Sequence, residues 1–135
     1  MKDINQQLLN FKNNKNFNYN DYYVSESNYY AFQLIEKWPK WEKNILNISG
    51  EKFSGKTHLA NIFINKNKGI KIKEEEINDA VFKKFKLYEN IIIDDYKNKC
   101  DEKLMYSIFN LVDQDNKYLI INSQTPINEI NYELN

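Results

Sequence analysis

Gly50, Gly55, Lys56 and Thr57 stand in the order Gly-x-x-x-x-Gly-Lys-Thr, behind a short apolar run (Ile45, Leu46, Ile48) and ahead of Leu59, Ala60, Ile62 and Phe63 at helical spacing. Strand, glycine loop and helix in that order suit a polyphosphate. Backbone N–H groups of the loop and the positive end of the following helix converge on one point. In that arrangement Lys56 reaches the β and γ phosphates and the Thr57 hydroxyl joins a Mg²⁺ shell. At average composition the four fixed positions arise by accident in roughly one chain of this length in two hundred. Two of the chain's three glycines occupy the motif, which weighs further against a ligand-free turn.

The second reactive stretch is E-N-I-I-I-D-D-Y at 89–96. A continuous apolar run fits a strand buried on both faces of a parallel sheet, here ending in two adjacent carboxylates. Beside a phosphate loop, Asp94 is the expected Mg²⁺ ligand and Asp95 the group that polarises an attacking water. A further apolar run at 118–121 ends in Asn122, Ser123, Gln124 and Thr125. A polar residue at the tip of that strand, lying between the two motif strands, would face the γ phosphate. Asn122 is the first choice and Ser123 the second, against a plain loop hydrogen bond.

The remaining elements must position these groups. Residues 21–24 read as a short extended segment, and Ser25 or Ser27 caps a helix whose Tyr30, Ala31, Leu34, Ile35 and Trp38 form an apolar stripe ended by Pro39. Residues 70–73 alternate as a short strand does. Glu74, Glu75 and Glu76 open a helix with Ile77, Val81, Phe85 and Tyr88 on one face, and the triplet is expected as a solvated helix start rather than a metal site. Asp101 caps a helix carrying Leu104, Ile108, Leu111 and Val112, and residues 116–117 turn the chain into the last strand.

With 135 residues, 41% of them hydrophobic, the chain can build one core. Its 19 basic and 19 acidic side chains cancel, so no global field would hold a nucleic acid, and direct DNA binding by this segment is not expected. The single cysteine, Cys100, excludes an intrachain disulfide and suits a reducing cytoplasm as a bystander thiol. No apolar run approaches the length of about 18 residues needed for a membrane span, and the N-terminus has no signal-peptide core, so a cytoplasmic location without membrane contact is expected. The chain contains no arginine, which is compatible with a drift toward AT-rich codons; it supplies neither an arginine finger nor a bidentate guanidinium clamp. Residues 1–20 are asparagine-rich and read as a flexible tether interrupted by the cluster Gln6, Gln7, Leu8, Leu9, Asn10 and Phe11. Spacing alone leaves that cluster open between a docking peptide and an element folded back on the body.

Alternating strands and helices with a polar tip after the acidic strand resemble an additional-strand phosphate-loop ATPase, an α/β three-layer AAA+ or RecA-like core with a mostly parallel sheet. G-K-T-H-L at 55–59, D-Y-Y-V-S-E-S-N at 21–28 and I-I-N-S-Q-T-P at 120–126 are similar, in order and spacing, to the DnaA/Hda branch of AAA+ proteins. The segment Trp38, Pro39, Lys40, Trp41 looks like alphaproteobacterial regulators of the Hda type. The resemblance implies adenine-nucleotide binding, ATP or ADP with Mg²⁺, through Gly50, Ser54, Gly55, Lys56, Thr57 and His58, with Tyr23 and Val24 as further nucleotide contacts. It also implies that Gln6, Leu9 and Phe11, which match Gln-x-x-Leu-x-Leu/Phe, dock on the DNA polymerase sliding clamp, with Leu9 and Phe11 as apolar anchors. The expected function is negative regulation of replication initiation by inactivating the ATP-bound initiator DnaA.

Two departures temper the catalytic side of that expectation. The family continues into an arginine-bearing box and a helical lid, whereas this chain stops at Asn135, so residues 21–135 are expected to be an incomplete AAA+ domain, truncated before the lid, with little hydrolysis alone. The family commonly reads Gly-Pro-x-Gly-Ser-Gly where this chain has Gly50, Glu51, Lys52, Phe53, Ser54 and Gly55; Phe53 is strained there if the loop needs positive φ, which would lower nucleotide affinity. The alternatives are the ATPase core of a DnaA-type initiator, a helicase loader and a small kinase. A basic helix-turn-helix domain downstream marks the initiator, and phosphoryl transfer to an acceptor marks the kinase.

Overall fold

The computed structural model describes residues 22–51 and 55–127. The tether with Gln6, Leu9 and Phe11, and the loop residues Phe53 and Ser54, lie outside the described residues. Five strands, β1 (Tyr23–Ser25), β2 (Ile45–Ser49), β3 (Gly69–Lys73), β4 (Asn90–Tyr96) and β5 (Tyr118–Ser123), form one sheet in the order β1-β2-β5-β4-β3. Every pairing is parallel. Parallel neighbours need crossovers, and helices α1 (Asn28–Lys37), α2 (Lys56–Lys66), α3 (Val81–Phe85) and α4 (Glu102–Gln114) supply them.

Side-chain alternation along the central strands builds two cores, one per face. Leu46, Ile48, Ile92 and Ile120 pack with Ala31, Leu34 and Ile35 of α1 and Leu59, Ala60 and Phe63 of α2. Ile45, Ile91, Ile93, Leu119 and Ile121 face the other way, onto Val81 and Phe85 of α3 and Met105, Ile108, Phe109 and Val112 of α4. The result is the three-layer α/β arrangement expected from the continuous apolar runs. Trp38 and Trp41 close the first core: Trp41 stacks on Phe63 at 5.8 Å, Trp38 meets Phe63 edge-on at 5.9 Å, and the Trp41 indole N–H donates to the Leu34 carbonyl at 2.5 Å.

The expected caps form. Ser27 Oγ accepts from Tyr30 N and Asp101 Oδ1 from Lys103 N, while Asn116 takes the left-handed turn before β5. Two expectations fail. Tyr30 points outward from α1, because a stripe centred on Ala31, Leu34 and Ile35 leaves Tyr29, Tyr30 and Phe32 on the exposed face. The acidic triplet starts no long helix: residues Glu74–Glu76 form a single 3-10 turn, α3 spans only Val81–Phe85, and Glu74 is 5% exposed. Its carboxylate accepts from the backbone N–H groups of Lys97 at 2.8 Å, Lys99 at 2.5 Å and Cys100 at 2.9 Å, tying the end of β3 to the loop that follows β4. Three amides satisfy the buried charge, which a local reading of the triplet cannot foresee.

Candidate functional site

The chain leaves β2 for β3 past two intervening positions, then fills them with β4 and β5. Connections therefore diverge at the C-terminal ends of β2, β5 and β4, which is where open parallel sheets form ligand crevices. A cleft of about 430 Å³ opens there, lined by Gly55, Lys56, Thr57, His58, Lys73, Asp94, Asp95 and Gln124.

Gly55 stands at the head of α2 with φ +96°, a left-handed conformation that tolerates few side chains, and a Cβ there would come within 3.1 Å of Asn28 Nδ2. This places the glycine loop's exit against the start of α1. Lys56, the first residue of α2, is largely buried, and its ammonium donates to the carbonyls of Gly50 at 2.5 Å and Glu51 at 2.7 Å. Burial holds its pKa below the ordinary lysine value, against the opposing pull of Asp94 and Asp95.

Asp94 is the hub. Thr57 Oγ1 lies 3.2 Å and 3.3 Å from its two carboxylate oxygens, Asn122 Nδ2 donates to Oδ1 at 3.0 Å, and the Asp95 backbone N–H donates to Oδ1 at 3.1 Å. Sheet register makes this convergence possible. Ile93 pairs with Ile121 and Tyr96 with Ser123, so Asp94 and Asp95 together oppose Asn122 in a bulge. Asp95 takes φ +54° within it, its carboxylate exposed and 3.4 Å from the Lys97 ammonium. The bulge leaves both adjacent acids at the cleft, where a regular strand would send them to opposite faces.

Asn122 is fully buried and reaches the cleft only through Asp94, donating also to the Lys56 carbonyl at 3.4 Å. Ser123 turns to the opposite side of the sheet, where its hydroxyl donates to the Thr125 carbonyl and accepts from Asn47. Asn47 spans β2, β5 and the following loop, donating to the Ile121 carbonyl and accepting from Ile127 N at 2.9 Å. Tyr23 and Val24 are not brought to the cleft. They pair with Leu46 and Asn47, below the strand tip, and pack into the two opposite cores; the Tyr23 hydroxyl accepts from Glu42 N and its ring carries Lys43 at 5.3 Å. Gly50 contributes backbone rather than lining, its N–H donating to the Ser123 carbonyl at 3.1 Å.

Sequence reasoning missed Asn47, Glu74 and Lys73. Asn47 carried a signal, a lone amide inside an otherwise apolar strand, whereas Glu74 and Lys73 are indistinguishable from solvated charge until the sheet order is known. Cys100 lies near the Glu74 clamp with its thiol pushed up to about 12, chiefly by burial and then by the Glu74 charge, as befits a bystander. Among the described residues no group of three or more His, Cys, Asp or Glu side chains could hold a metal, and no helix is long and apolar enough to cross a membrane.

No family model, curated protein or solved structure matches the chain.

Proposed function

We propose that residues 50–57 are a phosphate-binding loop and that the chain is an adenine-nucleotide-binding regulator of replication initiation of the DnaA/Hda type. The observation that carries the nucleotide part is the meeting of Lys56, Thr57, Asp94 and Asn122 at the tips of three adjacent parallel strands. Lys56 donates along the loop and, once a polyphosphate displaces the Gly50 and Glu51 carbonyls, turns its charge on the β and γ phosphates.

Thr57 Oγ1 and the Asp94 carboxylate fit Mg²⁺. Their separation of 3.2 Å is close to the edge of an octahedron of oxygens about 2.1 Å from the ion, and two protein ligands suffice where phosphates and water complete the shell. Bound there, Mg²⁺ would supply positive charge to neutralise a polyphosphate. Asn122 holds Asp94 in position from behind, and Asp95 presents an exposed carboxylate to the cleft, where it could polarise an attacking water.

Adenine specificity, clamp docking through Gln6, Leu9 and Phe11, and action on DnaA rest on the sequence resemblance. The test has two arms. Fluorescent ATP and ADP are titrated in Mg²⁺ and in EDTA; binding that is lost in Lys56→Ala and weakened in Asp94→Asn supports the loop, and absence of binding to the parent protein rejects it. Immobilised sliding clamp is then offered to the parent and to a Gln6, Leu9, Phe11 triple alanine variant. Equal retention of the two would reject the docking role while leaving nucleotide binding standing.

A further inference from the structure

The chain contains no arginine, so apart from His58 any second positive charge it brings to a phosphate in this cleft must come from a lysine. The cleft is lined by two, Lys56 and Lys73, on opposite sides of Asp94. Lys73 is the last residue of β3 and the register partner of Asp94. Alternation along β3 fixes its side: Ile72 packs into the α3/α4 core, while Lys71 reaches α2 and donates to Asn61 Oδ1 at 2.8 Å. Two residues beyond Lys71, Lys73 projects on the same side as α2, whose first turn carries Lys56 and Thr57. It is exposed, and among the described residues it makes no ion pair.

We infer that Lys73 is a specificity-determining residue of this cleft, supplying a second cation to the terminal phosphate so that a nucleoside triphosphate is held in preference to a diphosphate. This rests on the nucleotide reading above. A chain of phosphates anchored at the head of α2 by Lys56, with the Thr57 and Asp94 oxygens beside it, extends its far end toward β4 and β3. Lys73 stands past Asp94 on that path. A diphosphate ends before it, whereas a triphosphate brings its terminal oxygens within reach of a flexible ammonium that pairs with no carboxylate among the described residues.

The experiment compares affinities of the parent protein, Lys73→Met and Lys73→Arg for ADP and for a non-hydrolysable ATP analogue, at one fixed salt concentration with Mg²⁺. Lys73→Met is expected to weaken the triphosphate about fivefold and the diphosphate less than about twofold, with Lys73→Arg restoring most of the difference, since a single exposed charge contact is of that size. Equal weakening of both nucleotides would assign Lys73 a structural role and overturn the inference, as would an unchanged ratio or a parent protein that does not discriminate. If Lys56→Ala abolishes binding while Lys73→Met leaves the ratio intact, the inference alone fails. If the parent binds neither nucleotide, the nucleotide reading fails and this inference with it.

Discussion

Replacing Glu74 with alanine removes the acceptor for three backbone donors at once. Lys97, Lys99 and Cys100 give N–H bonds of 2.8 Å, 2.5 Å and 2.9 Å to the two oxygens of a side chain that is 5% exposed. Bonds to a charged acceptor contribute about 1.5–3 kcal/mol each when their loss leaves a buried donor bare. Lys97 and Lys99 lie at the surface, so water re-solvates part of what is exposed, and removing the carboxylate recovers its desolvation cost. The expected loss is therefore about 3 kcal/mol rather than the full sum, or a fall in Tm of about 10 °C for a domain of this size. Glu74→Gln keeps one accepting oxygen but turns an amide NH₂ toward the remaining donors, and should cost about half as much. Urea unfolding measures the stability, and hydrogen exchange of the Lys97, Lys99 and Cys100 amides measures the local effect. A Glu74→Ala protein within about 0.5 kcal/mol of the parent, or with those three amides equally protected, would refute the reasoning that this carboxylate organises the loop after β4.

Phe63→Ala should destabilise by about 3–5 kcal/mol, because it empties a fully buried ring site between Trp38 and Trp41; urea unfolding followed by indole fluorescence reports both the stability and the loosened tryptophans. Between the ordinary value of 9.0 and about 12, the Cys100 thiolate fraction at pH 8 falls about a thousandfold, so a disulfide reagent should react far more slowly in the folded protein than in urea, and Glu74→Gln should narrow the gap. Tyr106 is likewise raised to about 12, chiefly by burial and then by its bond to Glu102. Both groups bind their protons more tightly when folded, so their contribution is fully present below pH 9 and is lost as pH rises from 9 toward 12; stability measured across that window should decline. Gly55→Ala imposes a side chain on φ +96° and pushes on Asn28, and should cost about 1–2 kcal/mol while displacing the start of α2, seen as lower stability and weaker nucleotide binding.

Legibility in the sequence followed the range of the forces concerned. The strands at 45–49, 90–96 and 118–123 announce themselves through short apolar runs, the first broken by Asn47, and the helices after Gly55 and Asp101 through their three-to-four-residue spacing, the latter also through its cap. The pairing of Lys56 and Thr57 with the glycines, and of two carboxylates with a strand end, was equally local. Tyr30 departs from the expected stripe because a short helix offers several plausible stripes, and only the neighbouring α2 and sheet select Ala31, Leu34 and Ile35.

By itself, then, the order of residues determined the alternation of strands and helices, the two apolar faces and the identity of the groups at the strand ends, because period and capping act over a few residues. Tertiary structure alone decided that β5 lies between β2 and β4, which brings Asn122 onto Asp94 and Asp94 onto Thr57. It decided that the bulge leaves both Asp94 and Asp95 lining the cleft, that Glu74 is buried under three amides, and that Lys73 joins the cleft while Tyr23 and Val24 do not. Those placements depend on pairing between segments 20 to 80 residues apart, where the energy of a buried charge or a register is set by a partner that no local window contains.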